Sequence, residues 1–229
     1  MRHLFLLAAL FCACISYAQI RVQERLPKSK TGFALTTAKT RAKIYYDVND
    51  ALVIKRSAEL FARDIQMVTG QKPELIQKRE RAKALVIVGT IEKNQWICEL
   101  AQKGKIDIRP LQGAWERYLI QTVDNPSPGV AKALVIAGSD RRGAAYGLFS
   151  ISEMMGVSPW YWWGDVPVKT HKALYVDAPP TYSKTPSVKY RGIFLNDEDW
   201  GLKPWAAKTF EKERGNISHR TKEKNREKK

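Results

Sequence analysis

The sequence predicts an α/β layered protein, and three observations carry that expectation. Residues 84–88 and 133–137 are short all-apolar runs, Ala84-Leu85-Val86-Ile87-Val88 and Ala133-Leu134-Val135-Ile136-Ala137. Strands apolar on both faces belong to a sheet that is covered on both sides. Stretches with apolar residues at helical spacing alternate with these runs, which is the pattern of strands and helices in layers. The third observation is composition: 44% of the 229 residues are apolar, enough for a substantial core.

In chain order, residues 1–18 read as a secretory signal. Arg2 and His3 form a basic start, residues 4–15 an unbroken apolar stretch, and Ser16-Tyr17-Ala18 a small-residue site, so cleavage is expected after Ala18. The apolar stretch is shorter than the ~20 residues a membrane helix requires. The mature protein is therefore expected to be secreted or periplasmic, without membrane attachment. Cys14 also admits a lipoprotein form, which Phe11 and Cys12 fit poorly.

Residues 19–43 are expected to be an exposed lead-in, broken by Pro27 and Gly32. A short strand at 42–46 opens the α/β domain, which spans 44–178. Asn49 or Asp50 is placed to cap a helix in which Ile54, Ala58, Phe61, Ile65 and Val68 recur at helical spacing, and Gly70 is placed to end it. The strand at 84–88 stops at Gly89, a helix covers 92–103, and an alternating strand follows at 117–123. After the strand at 133–137, a helix opens that sets Ala145, Leu148, Phe149, Ser152 and Met155 on one face, with Gly156 as its stop.

Pro179, Pro180 and Pro186 make residues 179–188 a stiff linker, and 189–195 reads as a further strand. Residues 218–229 carry Arg220, Lys222, Lys224, Arg226, Lys228 and Lys229 against Glu223 and Glu227, a basic tail expected to be disordered.

The formal net charge is +16. Outside the tail the excess of bases is scattered, with no aromatic-interleaved basic strip, so it reads as solvated surface and no nucleic-acid partner is expected. Once the signal is removed, Cys98 is the one remaining cysteine, which excludes an intramolecular disulfide. A lone cysteine in a helical stretch reads as a small buried hydrophobe. The histidines, His3, His171 and His219, fall in the signal, a loop and the tail, so neither a metal nor another cofactor is expected.

Gly138, Gly143 and Gly147 follow a strand and open a helix, the position of a phosphate-binding loop. Ala144-Ala145 stands where a Walker loop needs Lys-Ser or Lys-Thr, and the Gly-x-Gly of a dinucleotide fingerprint is missing. Small residues that let the helix pack tightly on the sheet explain the pattern instead.

Two motifs carry chemistry. In Pro159-Trp160-Tyr161-Trp162-Trp163-Gly164-Asp165 four aromatic side chains in succession cannot all face one core. Indoles stack on the apolar faces of sugar rings and Asp165 can accept hydrogen bonds from hydroxyls, so a carbohydrate subsite and an aromatic domain interface are both open, and the two are compatible. In Asn196-Asp197-Glu198-Asp199-Trp200 three adjacent acids end an apolar run. One can cap a helix starting near Leu202 or Pro204. Mutual repulsion raises the pKa of an enclosed carboxyl, which keeps it protonated to act as an acid. Glycoside hydrolysis needs two separated carboxyl groups, and adjacent residues on an extended strand diverge, so this cluster supplies at most one of the pair.

Together, residues 133–147, residues 159–165 and above all Tyr190-Arg191-Gly192-Ile193-Phe194-Leu195-Asn196-Asp197-Glu198, with Trp205 following, resemble the amino-terminal part of the glycoside hydrolase family 115 xylan α-1,2-glucuronidases. The resemblance covers roughly residues 44–217, and the α/β domain is also similar to the accessory domain that precedes the barrel in several exo-glycosidases. It implies a layered accessory domain followed, at 189–217, by the first strand of an incomplete (β/α)8 barrel. It also implies an inverting enzyme that releases glucuronic acid or its 4-O-methyl ether from glucuronoxylan. By the same resemblance Asp197 and Glu198 are catalytic, and Asn196, Trp162, Trp163 and Asp165 bind substrate. Such a barrel needs eight strands and about 250 residues. Read this way, the chain is a truncated product, silent by itself. The alternative is a non-catalytic carbohydrate-binding protein that uses the aromatic run at 160–163.

Overall fold

The computed structural model describes residues 19–161, 164–196 and 202–210. The chain divides into two units, Met1–Pro186 and Ser187–Lys229.

The first unit is built on a six-stranded sheet. β3 (Lys43–Tyr46) and β5 (Ala82–Thr90) pair in parallel, with Ile44 opposite Val86 and Tyr46 opposite Val88. β5 pairs in parallel with β7 (Val130–Gly138), and the two-residue β4 (Leu75–Ile76) adds a parallel edge to β3. On the other side β6 (Tyr118–Ser127) forms an antiparallel hairpin with β7, and β9 (Thr181–Tyr182) pairs antiparallel with β6.

Side chains on successive strand residues leave opposite faces of the sheet, which explains the unbroken apolar runs at 84–88 of β5 and 133–137 of β7. On one face Ile44, Val86, Val88, Leu134 and Ile136 meet α1 (Leu52–Thr69) and α3 (Arg141–Met154). On the other, Tyr45, Leu85, Ile87 and Val135 meet α2 (Gln95–Gln102) through Trp96, Ile97 and Leu100.

A second sheet closes the first of these cores. It holds β1 (Arg21–Gln23), β2 (Gly32–Thr36) and β8 (Leu174–Asp177), with β8 antiparallel between the other two. Residues 19–43 are therefore not an exposed lead-in. Phe33 and Leu35 are fully buried against the core. The hydrogen-bonding partner of β2 lies some 140 residues downstream, and five residues are too short a signal to announce a strand without it.

α1 buries Ile54, Ala58, Phe61, Ile65 and Val68, as their spacing requires, and Gly70 ends it at φ 71° with its N–H donating to Gln66 O at 2.8 Å. The N-cap is Ala51 rather than Asn49 or Asp50. The Asp50 carboxylate instead accepts from Thr90 N at 2.7 Å and from Thr90 Oγ1 at 3.1 Å, which ties the carboxyl end of β5 to the start of α1. α2 starts at Gln95, not 92, because the Asn94 side chain caps it by accepting from Ile97 N at 3.1 Å.

The glycines of α3 serve close packing. A Cβ on Gly147 would lie 2.6 Å from Ile136 Cγ2, and one on Gly143 would collide with the Arg117 carbonyl. Running the glycine strip along the sheet sets which face is buried: Ala145, Leu148, Ser152 and Met155 are inside, while Phe149, expected with them, is 36% exposed.

Part of the expected linker belongs to the sheet. Besides the β9 pairing, Thr122 N donates to Ala178 O at 2.8 Å and Ser183 N to Tyr118 O at 2.9 Å. Pro179 and Pro180 sit where an edge strand tolerates a missing donor.

In the second unit, residues 189–195 form no strand. Tyr190, Ile193 and Phe194 are exposed, the last at 89%. An extended run needs a neighbour to make a ladder, and none pairs with it among the described residues. α4 (Leu202–Phe210) follows, and the N–H of Leu202 donates to Asn196 O at 2.8 Å.

Candidate functional site

The sequence-derived site residues divide between the two units. Asp197, Glu198, Trp162 and Trp163 lie outside the described residues. Asn196 is exposed, with its carbonyl engaged at the start of α4. Asp165 is exposed at φ 49°, a left-handed turn position. Trp160 is 48% exposed, whereas Tyr161 turns back to pack on the core. Successive aromatic side chains thus diverge here, as backbone geometry demands.

Tyr161 closes one end of a groove of about 550 Å³ between α1 and α3. Leu60 and Arg63 of α1 form one wall, and Tyr146, Phe149 and Glu153 of α3 the other. The Arg63 guanidinium donates through Nη2 to the Tyr161 hydroxyl and lies 5.8 Å from the centroid of that ring. At the base, Ser152 Oγ donates to Asp64 Oδ2 at 2.7 Å. Burial pushes the Asp64 carboxyl above its ordinary pKa, against the lowering pull of Ser152 and Arg63. The Tyr118 hydroxyl reaches Ser150 Oγ at 3.2 Å beside Phe149.

Aromatic faces, hydroxyls, one cation and the carboxyl groups of Asp64 and Glu153 line a cleft of this size, and such groups are the ingredients of a small-ligand site. Such groups can hold a ligand, whereas the Asp64 carboxylate is buried and hydrogen-bonded to Ser152. Sequence reasoning missed Arg63, Asp64 and Tyr146 and assigned Phe149 to the core, because the groove arises from the crossing of two helices far apart in the chain.

Other polar residues have structural partners. Cys98 Sγ donates to Ile91 O at 3.2 Å, and burial pushes the thiol up, away from the nucleophilic thiolate. Asp140 caps α3 by accepting from Arg142 N at 2.9 Å and Gly143 N at 2.8 Å, which places it in the helix-packing role rather than in a phosphate loop.

Comparison with known proteins gives the class first. The family model for glycosyl hydrolase family 115 matches residues 183–227, a stretch that includes Asn196, Asp197 and Glu198. The fold agrees: the solved structure of BtGH115A, a family GH115 4-O-methyl-α-glucuronidase with specificity for decorated arabinogalactans, matches with a TM-score of 0.61 and 34% identity over 78% of this chain. The chain is an amino-terminal portion of a family 115 glycosyl hydrolase. It spans 22% of the length of that relative. Two other solved structures, CpGH84D and the GH20 β-N-acetylhexosaminidase from Streptomyces coelicolor, each match at 12% identity, over 70% and 74% of this chain and 22% and 25% of theirs, with TM-scores of 0.42 and 0.37. A search of curated proteins finds no match.

Proposed function

We propose that this chain belongs to a hydrolase that removes α-linked glucuronic acid or 4-O-methylglucuronic acid from the side chains of a plant polysaccharide. The observation that carries the reading is the 34% identity, over 78% of the chain, to a 4-O-methyl-α-glucuronidase. The sequence resemblance favours glucuronoxylan, and the specificity of BtGH115A adds decorated arabinogalactans; the uronic acid substituent is common to both.

The unit that ends at Pro186, with β1, β2 and β9 included, is the accessory domain, and residues 189–217 are the start of a catalytic (β/α)8 barrel. Catalytic groups of such barrels gather at the carboxyl ends of strands, which is where Asp197 and Glu198 fall if 189–195 joins a barrel sheet. Inversion needs an acid and a base about 6.5–9.5 Å apart with water between them. Asp197 or Glu198 supplies one of them and Asn196 contacts the sugar, while the second carboxyl comes from a later barrel strand. Residues 19–229 alone are therefore catalytically silent. Trp162, Trp163 and Asp165 bind the substrate. Residues 1–18 direct export and are removed after Ala18, so protein recovered from the medium or periplasm begins at Gln19.

A chimera tests this reading, with residues 19–217 replacing the matching portion of BtGH115A. It is expected to release 4-O-methylglucuronic acid, and Asp197→Asn to lower kcat by about 10²–10⁴-fold, the usual contribution of an acid or base. A chimera whose activity is indifferent to both Asp197→Asn and Glu198→Gln contradicts the assignment.

A further inference from the structure

We infer that the groove between α1 and α3 is a binding site for an oligosaccharide that carries a uronic acid. The sugar ring would lie on Phe149 and Tyr146, with its carboxylate on Arg63. Three independent features of the groove point to such a ligand.

The first is aromatic exposure. Phe149 and Tyr146 stand on α3 at 36% and 39% exposure, and Leu60 faces them from α1 at 40%. The outward stripe of a surface helix is ordinarily polar. Flat rings three residues apart on one helix face form a platform for the C–H face of a pyranose.

The second is charge. Arg63 uses Nη2 on the Tyr161 hydroxyl, and among the described residues no protein acceptor takes Nε or Nη1. The Tyr161 bond fixes the planar guanidinium at the mouth of the groove, and its fork matches a carboxylate in two-point contact. Asp64, the next residue of α1, is covered and held by Ser152. Glu153 also lines the groove, where its carboxylate can accept from sugar hydroxyls.

The third is size. A volume of about 550 Å³ falls within the roughly 300–1,000 Å³ of small-ligand clefts, room for a short oligosaccharide rather than a single ring. A second cleft, at the β6–β7 hairpin, is lined by Arg81, Lys83, Lys103 and Lys105. It has charge but no aromatic platform.

The groove stands on this chain's own geometry, while the choice of a uronic acid as ligand rests on the glucuronidase reading. Together they describe an accessory domain that holds a neighbouring decorated stretch of polysaccharide.

Titration of residues 19–229 with xylotriose bearing one 4-O-methylglucuronic acid, followed by backbone amide NMR, tests the inference. Shifts are expected at residues 60–64 and 146–153. Unsubstituted xylotriose, Arg63→Gln with the charged sugar, and Phe149→Ala with the charged sugar are each expected to bind at least tenfold more weakly, while Arg63→Lys recovers part of the loss. Both positions are exposed, and an unchanged far-ultraviolet circular dichroism spectrum shows that the variants fold. Equal binding of the neutral sugar overturns the uronate assignment. Binding unaffected by Arg63→Gln and Phe149→Ala, or no binding of either sugar, overturns the groove; in both cases the glucuronidase reading stands or falls by the chimera alone.

Discussion

At the scale of single residues, the helix crossing is governed by one buried acid and two glycines. Asp64 is 5% exposed, and burial lifts its pKa above the ordinary 3.8. Between that value and the raised one, the folded chain holds a proton that the unfolded chain has lost, so this group makes stability fall as pH rises. The penalty is complete above the raised pKa and absent below 3.8. Asp64→Asn keeps an acceptor for Ser152 and cannot ionise. The variant is expected to have the higher Tm at pH 7, with an advantage that shrinks toward pH 4. Thermal unfolding across that range checks this, and a difference independent of pH contradicts it. Gly143→Ala drives a methyl group into the Arg117 carbonyl, which also accepts from Ser139 N at 2.9 Å. A loss of about 1–3 kcal/mol in urea unfolding is expected, the usual effect of overpacking. That Gly143 and Gly147 mean close packing rather than phosphate binding is legible in the sequence, since the residues around them fail both phosphate motifs. The carboxylate of Asp50 is not legible, because Thr90, its partner, lies 40 residues away.

Elements follow the same division between local and distant causes. β5, β7, α1 and α3 can be read from the sequence because each carries its own signal: a continuous apolar run or a helical stripe. β1, β2 and β8 cannot, because each is at most five residues long and exists only by pairing with the others. Phe149 lies on the edge of the α3 stripe, and the glycine contacts with the sheet decide its side. Residues 189–195 have the composition of a strand, but among the described residues none pairs with them. The start of α3 depends on Asp140, which accepts from Arg142 N and Gly143 N and, through its other oxygen, from Glu116 N at 2.7 Å. Asp140→Ala is expected to destabilise the protein by about 1–2 kcal/mol through the lost cap, and by more once the Glu116 amide is left unsatisfied. Asp140→Asn is expected to retain most of the stability, and chemical denaturation of the two variants checks the contrast.

The whole molecule consists of one unit closed around two cores and a second unit that carries the family's acid motif. Both cores are completed by residues before Pro186. A polypeptide of residues 19–186 is therefore expected to fold cooperatively with the Tm of residues 19–229, and a large drop in Tm contradicts that. The groove lies within this unit, so binding there can be measured apart from hydrolysis. The central proposal is that residues 19–229 carry only part of a glucuronidase site. Purified residues 19–229 should be incubated with 4-O-methylglucuronoxylan and with glucuronic-acid-capped arabinogalactan beside full-length BtGH115A, and the released uronic acid measured. The account requires no release above the enzyme-free control; release at a rate comparable with the full-length relative would contradict it.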